Sequence, residues 1–91
     1  RRWRQPMKIL KFFSPTCGPC KALNPIIEGV GQELHLLVEG VDVTQEPELA
    51  ADYGIRAVPT LVLVGDGNEH LSSKTGLMTS EAMTTWLGEY L

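Results

Sequence analysis

Cys17 and Cys20 are the only two cysteines of the chain, and they stand three positions apart in Cys17-Gly18-Pro19-Cys20. That spacing lets two thiols close one disulfide, or lets them supply half of a zinc site that needs two more ligands. The remaining soft ligands are His35 and His70, which lie far apart in sequence, so the redox pair is the stronger reading and no metal is expected. Pro19 has no N–H and a fixed backbone angle near the helical value, so it suits a first helical turn. Gly18 lets a partner's backbone approach closely. A thiol at a helix N-terminus is stabilised as thiolate by unpaired N–H groups and the helix dipole, which lower its pKa from about 8.5. Cys17 is therefore expected to attack, and Cys20, one turn further in and shielded, to resolve.

The surrounding elements must present that pair. Lys8–Phe13 is apolar and aromatic enough for a strand, and Ser14-Pro15-Thr16 leads from it to the cysteines. Leu23, Ile26, Ile27 and Val30 recur at helical spacing, predicting a helix over residues 19–33, kinked at Pro25 and weakened at its end by Gly29 and Gly31. A second strand runs from Leu36 through Val41 and Val43, with an interruption expected at Glu39-Gly40. Thr44 is placed to cap a helix over residues 44–53, with Glu46 and Glu48 in its first turn and Gly54 to stop it. Thr60–Val64 is strand-forming, Gly65-Asp66-Gly67-Asn68 is turn chemistry, and residues 69–75 return as an antiparallel partner. Thr79 or Ser80 caps a last helix whose Met83, Trp86, Leu87 and Tyr90 form one apolar face. The predicted order is βαβαββα, a small mixed sheet with helices on its faces, and the pair lies beyond the carboxyl end of the first strand.

Ninety-one residues make one domain. A formal charge of −3 offers no broad basic field, which argues against nucleic acid as a partner. No apolar run approaches the roughly 20 residues that cross a bilayer. Two cysteines in one C-x-x-C cannot staple distant segments, so a reducing cytoplasm is the expected compartment. Residues 1–6, Arg1-Arg2-Trp3-Arg4-Gln5-Pro6, differ from all that follows and are expected to be a disordered tail or a cloning remnant, with the domain over residues 7–91.

Phe12, the run Cys17-Gly18-Pro19-Cys20-Lys21, Pro25, Tyr53-Gly54-Ile55-Arg56-Ala57-Val58-Pro59-Thr60 and Gly76 together closely resemble the thioredoxin family. The likeness runs from Met7 across most of the chain. It implies a thioredoxin-like α/β fold and a thiol-disulfide oxidoreductase that reduces disulfides in other proteins without a cofactor. It also implies a cis bond before Pro59, packed beside the cysteines, with the Val58 backbone free to pair with an extended substrate. Thr16, Gly18, Pro19, Val58, Pro59 and Gly76 would then form the substrate-binding surface. The implied partners are disulfide-containing proteins and a thioredoxin reductase as electron donor, with the chain itself a monomer.

Three departures accompany the resemblance. The family's first strand and helix have no counterpart here, so a four-stranded sheet flanked by three helices is expected, as in glutaredoxins and minimal thioredoxins, with a smaller and less stable core. Thr16 replaces the family's usual tryptophan, removing an apolar contact. Lys11 stands at the position of the family's buried aspartate, which is thought to take a proton from the resolving cysteine. A charged lysine cannot be that base, although its ammonium would favour a thiolate; otherwise its stem crosses apolar surface and releases the charge to solvent. Lys21 is expected to be a solvated helix residue with a minor electrostatic influence. The competing functions are a docking module in which the thiols are incidental, a donor dedicated to one client such as ribonucleotide reductase, and a glutaredoxin-like use of glutathione.

Overall fold

Alternation along the first strand sorts the core into two layers. In the computed structural model, which describes residues 7–91, β1 (Lys8–Phe13) buries Ile9 on one face and Leu10 and Phe12 on the other. It is followed by α1 (Gly18–Leu34), β2 (Leu37–Asp42), α2 (Pro47–Asp52), β3 (Thr60–Val64), β4 (His70–Thr75) and α3 (Ser80–Gly88), with a short 3-10 turn at Asp66–Asn68. The strands lie in the order β2-β1-β3-β4, with β1 parallel to β2 and antiparallel to β3, and β3 antiparallel to β4. This is the expected thioredoxin-like fold, a four-stranded mixed sheet flanked by three helices. The tail expected over residues 1–6 lies outside the described residues.

β3 is central and covered on both sides, which is why all five of its residues are apolar or, at Thr60, internally hydrogen-bonded. Leu61 and Leu63 join Ile9, Leu23, Ile27, Val30, Met83, Trp86 and Leu87 beneath α1 and α3. Val62 and Val64 join Leu10, Phe12, Val41 and Ala50 on the α2 face. Trp86 completes its burial by donating Nε1–H to Ser72 Oγ at 2.9 Å, so no polar atom of the ring is left unpaired.

Three local expectations are corrected. β2 is continuous through Glu39-Gly40, because the parallel ladder with β1 sets Gly40 opposite Lys11 and supplies the order that glycine lacks by itself. Thr44 does not cap α2: its N–H and hydroxyl both donate to Asp42 Oδ1, at 2.9 and 2.7 Å, which holds it in a turn before the helix. Such local side-chain bonds compete with helix entry, and α2 begins instead at Pro47, whose missing N–H costs nothing in a first turn. Tyr90 falls beyond the end of α3 and is 37% exposed, so the apolar face of that helix stops at Leu87. Gly54 does terminate α2, with φ +68° and its N–H on Ala51 C=O. Thr79 does cap α3, accepting from Ala82 N–H at 3.0 Å. Pro25 lies inside α1 without dividing it.

Candidate active site

Because α1 begins at Gly18, Cys17 takes the N-cap position, in extended backbone at φ −89° and ψ 109°. The Cys20 N–H donates to Cys17 Sγ at 3.1 Å, the bond that a capping oxygen usually accepts, and Lys21 N–H donates to Cys17 C=O at 3.3 Å. Pro19 occupies the first turn, and no acidic side chain stands there to oppose a negative sulfur. The two sulfurs are joined in a disulfide with a Cα–Cα separation of 5.3 Å, so the structure is the oxidised form. Cys17 is half-buried, whereas Cys20 is 3% exposed and packs into the base of α1. An incoming disulfide meets Cys17 first.

Strand register brings the other expected residues to the same end of the sheet. Phe12, near the end of β1, pairs with Thr60 at the start of β3, and Thr60 pairs with Thr75 at the end of β4. The segments carrying Thr16 to Pro19, Val58-Pro59 and Gly76 therefore leave the sheet from three adjacent strands. Val58-Pro59 is cis, with Pro59 buried and Val58 half-buried. Gly76 N–H donates to Pro59 C=O at 2.8 Å, Thr60 Oγ1 donates to Ala57 C=O at 2.7 Å, and the Thr60 and Thr75 hydroxyls lie 3.1 Å apart. These bonds fasten the proline loop at both ends. Among the described residues no internal hydrogen bond engages the Val58 N–H or C=O. Thr16, Gly18 and Pro19 are exposed, as is Leu77 beside Gly76.

Lys11 points from the central strand toward α1. Its Nζ donates to Asn24 Oδ1 at 2.6 Å and lies 5.8 Å from the centroid of the Phe13 ring. With Asn24, Phe13, Ser14 and Pro15 it lines a cleft of about 190 Å³ that Cys20 and Lys21 also border. The half-buried Lys11 thus has a side-chain partner where it borders the cleft, while Lys21 is exposed on the helix. Asn24 and Gly40 escaped the sequence reading. Asn24 carried a signal: it is a polar residue of weak helix preference set between Leu23 and Ile27 on the apolar side of α1. Gly40 carried none, because its role depends on register: a Cβ there would lie 3.2 Å from Phe13 Cε2 and 3.9 Å from Lys11 Cε. Among the described residues no group of three or more His, Cys, Asp or Glu side chains could hold a metal, and no helix is long and apolar enough to cross a membrane.

Comparison with known proteins agrees with this geometry. The thioredoxin family model matches residues 4–89. A thioredoxin of Rickettsia felis is 32% identical over 83 residues, covering 89% of this chain and 78% of the relative. An SPbeta prophage-derived thioredoxin-like protein of Bacillus subtilis is 36% identical over 75 residues, covering 82% of this chain and 89% of the relative. Among solved structures, a mutant thioredoxin from Halobacterium salinarum superposes with a TM-score of 0.87 at 34% identity, covering 94% of this chain and 75% of the other.

Proposed function

The chain belongs to the thioredoxin family, and from that membership we propose that it takes electrons from a thioredoxin reductase and uses them to reduce disulfides of other proteins in the cytoplasm. It is a thiol-disulfide oxidoreductase whose Cys17 and Cys20 form the exchanging pair. In the reduced protein the Cys17 thiolate attacks one sulfur of the substrate disulfide, which breaks and releases the other as a thiolate that takes a proton from water. Cys20 then attacks Cys17 Sγ, the bond between Cys17 and substrate breaks, and the second substrate sulfur leaves reduced. Two electrons have passed to the substrate and the protein is left as its Cys17–Cys20 disulfide.

The observation that carries this reading is the asymmetry of the pair: Cys17 is accessible at the helix cap with an N–H aimed at its sulfur, and Cys20 is 3% exposed. Substrate enters along the Val58 backbone, whose hydrogen-bonding groups no internal partner engages among the described residues, flanked by Thr16, Gly18, Pro19, Pro59 and Gly76. An extended peptide can pair there as an added strand, with Leu77 offering apolar contact. The cytoplasmic assignment is supported by cysteine usage, since the only disulfide is the working one. The test is reduction of a protein disulfide with two recycling systems in parallel, thioredoxin reductase with its nicotinamide donor, and glutathione. Turnover with the reductase and little with glutathione is expected; the reverse preference would overturn the partner assignment.

A further inference from the structure

Cys20 presents a physical difficulty. Its thiol must ionise to attack, yet a sulfur 3% exposed loses most of the water that would stabilise its charge. The cleft it borders contains no carboxylate and no imidazole, so none of the lining side chains is a ready acceptor for its proton. The ionisable groups facing it are Lys11 from β1 and Lys21 from its own helix. On β2, Glu39 lies on the opposite face of the sheet, paired with Lys8, and the acid on the face of Lys11 is Asp42, opposite Phe13, whose Oδ1 accepts from Thr44. β3 offers only Leu61 opposite Lys11, and no charge.

We infer that Lys11 is a positioning residue for the resolving step, its ammonium held by Asn24 so that a fixed positive charge favours the Cys20 thiolate where a proton acceptor is missing. This rests on the exchange chemistry proposed above. Three features of the chain set the charge in place. The strand register aims the Lys11 stem under α1 beside Leu61. The missing side chain at Gly40 leaves room for the Phe13 ring, whose centroid lies 5.8 Å from the ammonium. The bond to Asn24 Oδ1, 2.6 Å long and charge-assisted, fixes the ammonium in the cleft. Lys21 is exposed, so its influence is screened by water, while the half-buried Lys11 acts through a medium of lower dielectric. In the step itself the Cys20 proton passes to water and Lys11 keeps its own. The Cys20 sulfur forms its bond to Cys17 Sγ, the bond between Cys17 and substrate breaks, and the electron pair leaves on the substrate sulfur.

The experiment titrates the Cys20 thiolate by ultraviolet absorbance in a Cys17→Ser background, with and without Lys11→Met, and measures release of substrate from the Cys17 mixed disulfide against pH in the otherwise native chain. Lys11→Met is expected to move the Cys20 titration up by about one pH unit, equivalent to about 1.36 kcal/mol. Release should slow by about tenfold at neutral pH and recover at a pH where Cys20 is ionised in both proteins. Asn24→Ala, which frees the ammonium without removing it, should shift the titration in the same direction by less, and it carries the test if circular dichroism finds Lys11→Met unfolded. Superimposable titrations, or a deficit in release that is the same at every pH, would overturn the assignment. Because the titration needs no substrate, its failure is distinguishable from a failure of the parent protein to open protein disulfides, which would overturn the functional reading instead.

Discussion

The backbone N–H of Cys20 points at the sulfur of Cys17, 3.1 Å away, so the buried member of the pair supplies the helix-end donor that prepares the accessible member for attack. The resolving residue therefore contributes to both halves of the exchange, through its backbone before substrate binds and through its sulfur afterwards. Replacing its side chain leaves the first contribution intact.

Cys20→Ser is accordingly expected to react with substrate and stop at a covalent mixed disulfide, whereas Cys17→Ser should lose more than about a hundredfold of its disulfide reduction. Non-reducing gel electrophoresis and mass spectrometry of the trapped adduct distinguish the two. In the reduced protein, alkylation and peptide mapping should find Cys17 modified first; preferential labelling of Cys20 would reverse the roles.

Thr60 is 4% exposed and its hydroxyl ties the start of β3 to Ala57 C=O and Thr75. Thr60→Val keeps the shape and removes the donor to the carbonyl of the exposed Ala57, at a cost of about 0.5–1.5 kcal/mol. Urea unfolding should register that loss. The proline loop should also be less well held, so KM for a protein disulfide is expected to rise more than kcat falls.

Thr79→Ala removes the hydroxyl that accepts from Ala82 N–H at the start of α3. A lost cap of this kind costs about 1 kcal/mol. In a domain of this size that corresponds to a fall in Tm of about 4–8 °C by calorimetry. Activity at room temperature should be unchanged, since α3 contributes no residue to the cysteine pair or the proline loop.

Met83 is fully buried between α1, α3 and the sheet. Met83→Ala should lower stability by about 2–5 kcal/mol through lost contact and the cavity left behind. Met83→Leu, which conserves volume, should cost less than about 1.5 kcal/mol. A similar loss in both variants, read from denaturant midpoints, would mean that this position is not tightly packed.

Where the sequence and the structure part, the cause is long-range at β2 and local at Thr44. The place of Cys17 at the start of α1, the stop at Gly54 and a cap at Thr79 or Ser80 were legible because each depends on residues within one helical turn. The continuity of β2 at Gly40 was not, because the order comes from β1, which lies some thirty positions away in sequence. Thr44 misled for a different reason: two local arrangements were open to it, and the Asp42 carboxylate won over the helix end.

The sequence by itself determined the chemistry, the element order and the family resemblance. Two thiols at helical spacing behind a strand, an apolar period of 3.6 in α1 and runs of strand-forming residues are local facts that need no neighbour. Tertiary structure decided what surrounds the buried sulfur. Lys11 and Asn24 come from a strand and a helix, and only the packing of β1 beneath α1 puts an ammonium and its acceptor in the cleft that Cys20 borders. Side-chain electrostatics depend on distance and dielectric, and both are set by packing between segments remote in sequence.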